Sequence, residues 1–88
     1  MKHRTEEEIT ALILEAAAGN NGITQTTIMY KAFLTYSQLK AYLLLLTEKG
    51  LIDYRKLERV YSTTEKGMRF LQMYNQIIEV IHATKQIK

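Results

Sequence analysis

The sequence predicts a mainly helical α+β fold in which three helices, a β-hairpin and one long C-terminal helix follow in that order. Three observations carry that expectation. Two threonine-led capping boxes, Thr5-Glu6-Glu7-Glu8 and Thr35-Tyr36-Ser37-Gln38, open stretches whose apolar residues recur at helical spacing. After Gly50 the period changes, and β-branched and aromatic residues gather in Leu51–Arg55 and Arg59–Thr63. From Met68 to Lys88 no glycine or proline interrupts a final helix.

Taken in order, the Thr5 hydroxyl is available to the amide three residues on, and Glu8 can reach back. The acids of that first turn also suit the positive end of the helix dipole. Ile9, Leu12, Ile13 and Ala16 predict a first helix over about 6–18. Gly19-Asn20-Asn21-Gly22 stops it, since both residue types tolerate positive φ. Ile23 is a single apolar residue ahead of Thr24, which caps a short second helix over about 25–32 that buries Ile28, Met29 and Ala32. The third helix, capped by Thr35, runs to about Lys49 and turns Leu39, Tyr42, Leu43 and Leu46 inward. Leu44 and Leu45 cannot both join that stripe, so at least one is expected on the surface or under a partner. Lys56-Leu57-Glu58 separates the two strands and gives the hairpin a basic tip. Without Gly, Asn or Pro there, its turn type stays open. Thr64 caps the last helix, which spans roughly 30 Å at the standard rise. Leu71, Tyr74, Ile78 and Ile81 form a seam along it, flanked by Phe70 and Ile77.

A chain of 88 residues is expected to form one domain, 1–88, with a core that is marginal alone. It has no cysteine, so neither disulfides nor thiolate metal sites reinforce that core, and a second copy is the remaining way to bury more apolar surface. The longest apolar run, Leu43–Leu46, is far too short to span a bilayer. No apolar segment near the start resembles a signal peptide, so a cytoplasmic location is expected. His3 and His82 stand apart, and neither a glycine-rich phosphate loop nor a nucleophile–base arrangement is present. The expectation is therefore no enzyme, metal, cofactor or small-molecule ligand. The net charge of +3 is mild, but its distribution is uneven. Residues 1–30 carry a net −2, residues 31–59 a net +3 and residues 60–88 a net +2. Positive charge thus gathers in the middle and end, either as a solvated surface or as a face that meets phosphates.

The element order is that of a winged helix-turn-helix. Lys49-Gly50-Leu51-Ile52, with Tyr61-Ser62-Thr63-Thr64-Glu65-Lys66-Gly67 after the hairpin, resembles a frame found in many prokaryotic winged-helix regulators. Ile28-Met29-Tyr30-Lys31-Ala32-Phe33-Leu34-Thr35-Tyr36-Ser37-Gln38, followed by Tyr42, resembles the small archaeal winged-helix DNA-binding proteins. Those include the ten-kilodalton type whose long C-terminal helix dimerises as an antiparallel coiled coil. The likeness runs from about Arg4 to Ile81; the chain departs from it in a wing tip without glycine and a seam of only about three heptads.

The resemblance implies double-stranded DNA as partner, with the third helix in the major groove. It makes residues 5–64 the helix-turn-helix and wing, and 65–88 a homodimerising helix. Thr35, Ser37, Gln38, Lys40 and Ala41 would then face the groove, unless Thr35 and Gln38 serve only as caps. Lys31, Arg55, Lys56 and Arg59 are the candidate phosphate contacts, with the phenols of Tyr30 and Tyr36 beside them. Phe70, Leu71, Tyr74, Ile77, Ile78 and Ile81 are the candidate dimerisation residues, in competition with packing on the first helix of the same chain. A transcription regulator or chromatin-associated protein is the function expected. The alternative is a winged-helix protein-interaction module built on Leu44, Leu45 and the last helix.

Overall fold

The computed structural model describes residues 4–86, and side chains as far as residue 82. His3 and the expected helix end at Lys88 lie outside the described residues. The order is α1 (Glu6–Ala16), α2 (Gln25–Ala32), α3 (Tyr36–Glu48), β1 (Ile52–Arg55), β2 (Val60–Thr63) and α4 (Glu65–Gln86). Both capping boxes form. Thr5 Oγ1 accepts from Glu8 N at 3.0 Å while Glu8 Oε1 accepts from Thr5 N at 2.8 Å. Thr35 and Gln38 repeat the exchange at 3.2 and 3.0 Å. Thr24 caps α2, and Thr64 caps α4 by accepting from Gly67 N at 3.0 Å. Each box satisfies amides that the first helical turn leaves without partners.

The core lies where α1 meets α2 and α4, and where α3 meets β1. Ile13, Leu14, Ile28, Leu39, Leu46 and Ile52 are its largest fully buried side chains. In α3 the inward stripe is Leu39, Leu43 and Leu46, with Tyr42 half-buried at its edge. In α1 the buried face differs from the expected one: Ala11, Leu14 and Ala17 join Ile13, whereas Ile9, Leu12 and Ala16 are only partly buried. A helix wedged between two others buries more than one stripe, and the short alanines let both neighbours approach. Helix α1 also ends at Ala16 rather than Ala18. The Ala17 amide donates back to Ile13 and Glu15, and the chain then leaves through Gly19, whose φ is +123°.

The strands pair antiparallel, from Ile52 opposite Thr63 to Arg55 opposite Val60. Both are one residue shorter than expected, for separate reasons. Leu51 belongs to the turn that ends α3, donating to Leu46 O at 2.9 Å. Arg59 belongs to the hairpin loop, at φ +59° with its N–H on Arg55 O at 2.8 Å. The missing glycine of the tip is thus replaced by an arginine in left-handed conformation. Ile23 has a clear role as well, exchanging two backbone hydrogen bonds with Tyr61 (2.9 and 2.7 Å) and so bridging the free edge of β2 to the α1–α2 loop.

Candidate nucleic-acid interface

Helix α2, the turn through Phe33 and helix α3 form a helix-turn-helix unit. The turn is made by a residue seldom found there. Phe33 sits at φ +56°, and the next amide, Leu34 N, donates to Met29 O at 3.1 Å, closing the helix end as glycine commonly does. Its ring is 78% exposed. Arg4 clamps the same end, with Nη1 on Ala32 O at 2.6 Å and Nη2 on Phe33 O at 2.9 Å. A guanidinium on the terminal carbonyls both satisfies them and opposes the negative end of the helix dipole.

That turn aims the N-terminal face of α3 outward. Thr35, Tyr36, Ser37, Gln38, Lys40 and Ala41 are all exposed, as are Tyr30 and Lys31 at the end of α2. Their availability differs. Ser37 and Ala41 are short and leave the helix surface open to close approach. The Lys40 ammonium lies 5.7 Å from the centre of the Tyr36 ring, a cation–π contact that holds it over the start of the helix. Gln38 Oε1 is already committed to Thr35 N, so a two-bond contact with adenine would require opening the capping box.

The hairpin stands beside this face. Gln25, Lys40, Leu43, Leu44, Thr47, Tyr54 and Tyr61 line one groove between α3 and the strands. Leu44, 66% exposed, therefore faces the wing. Leu45 turns the other way, into a groove shared with Glu6, Glu7, Thr10, Lys49 and Phe70. The two leucines that the α3 stripe could not hold thus lie on opposite flanks of the helix. Within the wing the Tyr54 and Tyr61 rings are 4.7 Å apart. Burial pushes the Tyr61 hydroxyl above its ordinary pKa, helped by the nearby phenols of Tyr54 and Tyr36. Lys56 and Arg59 are exposed at the tip. Arg55 is half-buried, and its Nη2 donates to Asn20 O at 3.0 Å, tying the wing to the α1–α2 loop.

Helix α4 divides its apolar residues between two faces. Leu71 is 7% exposed and belongs to the core, which removes it from any seam on the surface. Phe70 and Tyr74 pack against that core, their rings stacked 6.2 Å apart, and Ile78 is half-buried. Ile77 and Ile81 are exposed, and Met73, absent from the expected seam, is exposed beside them. Together with Gln76 and Val80 they line an open apolar groove along the outer half of the helix. The signal for Met73 was in the sequence, as the residue four before Ile77.

Among the described residues no group of three or more His, Cys, Asp or Glu side chains is placed to hold a metal ion, and no helix is long and apolar enough to cross a membrane. Compared with models of known protein families, residues 3–82 match the winged helix-turn-helix family. No curated protein matches the chain.

Proposed function

The chain belongs to the winged helix-turn-helix family, and on that premise we propose that it binds double-stranded DNA as a homodimer, with α3 in the major groove. The observation that carries this reading is the outward face of α3, short and polar at its start, continuous with a wing whose tip bears Lys56 and Arg59. Ser37, Lys40 and Ala41 approach base edges, and Leu44 supplies an apolar contact of the kind a thymine methyl accepts. Thr35, Lys31 and the phenols of Tyr30 and Tyr36 meet the backbone. Arg55 holds the wing in place, while Lys56 and Arg59 neutralise phosphates. Residues 65–88 supply the dimer contact, through Met73, Ile77 and Ile81. The role is that of a cytoplasmic transcription regulator or chromatin-associated protein rather than an enzyme.

Fluorescence anisotropy on a generic duplex across salt concentrations tests it. Affinity is expected to fall steeply with salt, by a log–log slope of about 0.9 per neutralised phosphate. Lys56→Gln with Arg59→Gln is expected to make that slope shallower by about two contacts' worth, leaving the fold intact. Absence of binding even at low salt would reject the reading. It would favour the second one, a protein-interaction module, for which the exposed Phe33 and Leu45 are the specific support.

A further inference from the structure

The wing ends in a leucine. Leu57 is 95% exposed, more than any other large apolar side chain among the described residues. A lone surface leucine needs no explanation in general. This one stands in the turn that joins the two strands, in the run Lys56-Leu57-Glu58-Arg59. A tip built only to clamp phosphates would not set a leucine and a carboxylate between its two cations.

The hairpin behind the leucine is stiff. A two-stranded ribbon is marginal alone, but this one is braced on three sides. The Tyr54 ring lies on Tyr61 at 4.7 Å. Ile23 adds its two backbone bonds to Tyr61. Arg55, in the last pair before the loop, ties the hairpin to Asn20 O. At the tip the Arg59 amide closes on Arg55 O at 2.8 Å, with Arg59 held at φ +59°. That strained residue fixes the loop's direction. From the buried Ile52 the strand runs roughly 10 Å to Arg55 at the rise of an extended strand, and Leu57 stands in the turn just beyond it.

We propose that Leu57 is a wedge: on bound duplex DNA it enters the minor groove next to the major groove occupied by α3, inserts between two base pairs and kinks the helix. The inference rests on the duplex-binding reading above. An undistorted minor groove is about 6 Å wide, and paired strands are already about 4.8 Å apart before side chains are counted. The hairpin body therefore stays outside, and only a tip side chain enters. Leucine has no hydrogen bond to offer a base edge; it gains by leaving water for the faces of unstacked bases. Lys56 and Arg59 flank it and meet the phosphates on either side. A flexible hairpin would swing aside, whereas a braced one transmits the force of binding to the base step.

The test measures DNA shape and occupancy together. A duplex labelled at both ends is saturated with the wild-type protein and with Leu57→Ala, end-to-end energy transfer reporting the bend and anisotropy reporting binding. The wild type is expected to bend the duplex by roughly 20–90°. Leu57→Ala removes a side chain without a packing role, so its circular dichroism should match the wild type. It is expected to leave the duplex nearly straight, to bind more weakly by a factor on the order of ten, and to keep the salt slope. Leu57→Phe should restore the bend. A straight duplex under saturating wild type, or equal bending by Leu57→Ala, overturns the wedge while duplex binding stands. No duplex binding by the wild type at any salt takes down both.

Discussion

Gly50 and Phe33 close two helices with the same backbone turn, yet only for Gly50 is that turn unstrained. Gly50 sits at φ +75° while Leu51 N reaches back to Leu46 O; Phe33 sits at φ +56° while Leu34 N reaches back to Met29 O. A side chain in this conformation costs about 1 kcal/mol or somewhat more, and at Phe33 the fold carries that cost beside an exposed ring. Glycine at Gly67 answers a different demand. A Cβ there would collide with Leu51 O and lie 2.6 Å from Thr63 Cγ2, whereas a Cβ at Gly50 meets nothing within 4 Å. The same change should therefore differ in cost at the two sites. Gly50→Ala is expected to destabilise by about 1 kcal/mol, from backbone strain alone. Gly67→Ala should destabilise by about 2 kcal/mol, because overpacking outweighs the better helix propensity of alanine. Urea midpoints measure both, and a Gly67→Ala protein as stable as the wild type would contradict the close packing of α4 on the hairpin base. At this scale the sequence was readable where chemistry is local. Thr5 and Thr35 declare their caps through Glu8 and Gln38 three positions away. Phe33 and Arg59 do not declare their left-handed turns, because neither residue type favours them and the surrounding structure imposes them.

The elements were legible by period, but the facing of α4 was not. Two apolar rows run along it, and periodicity alone treats them alike. Contact with α1 decides between them: it takes Leu71 and Tyr74 inward and leaves Met73, Ile77 and Ile81 on the outside. The seam expected from sequence thus belongs in its first half to the chain's own core. The inner row has its partner within the chain, and the proposed dimer would give the outer row one beyond it. Ile77→Glu with Ile81→Glu places charges only on the outer row. The double variant is expected to keep its circular dichroism and to halve in mass by light scattering, whereas Leu71→Ala should cost about 3 kcal/mol of stability. An unchanged mass for the double variant would reject dimerisation through this face. The hairpin itself, by contrast, was legible in the change of period after Gly50. The Ile23 bridge was not, since one apolar residue between Gly22 and Thr24 carries no strand signal of its own.

Across the whole molecule, the acidic start of α1 lies near phenols carried on two other helices. Glu6, Glu7 and Glu8 were legible as a helix start; that phenols from two other helices gather around them was not, because the contacts are long-range. Tyr42 on α3 has its pKa raised by burial and then by Glu6 and Glu7, with Arg4 opposing. Tyr74 on α4 has its pKa raised by burial and then by Glu8 and Glu7. Tyr61 on β2 is the third raised phenol. Each ionises near the ordinary value of 10.0 when the chain is unfolded and later when it is folded. Above that pH the unfolded state holds fewer protons than the native state, so stability falls as pH rises. The contribution is whole below 10.0 and is lost as the pH climbs from there through the raised native values. A tyrosinate absorbance titration of the native protein should accordingly show a fraction of phenols titrating late. Urea midpoints should drop as the pH rises above about 10, the ordinary tyrosine value. Tyr42→Phe with Tyr74→Phe should flatten that drop, since phenylalanine keeps the ring and removes the proton. A drop of the same size in the double variant would place the alkaline sensitivity elsewhere.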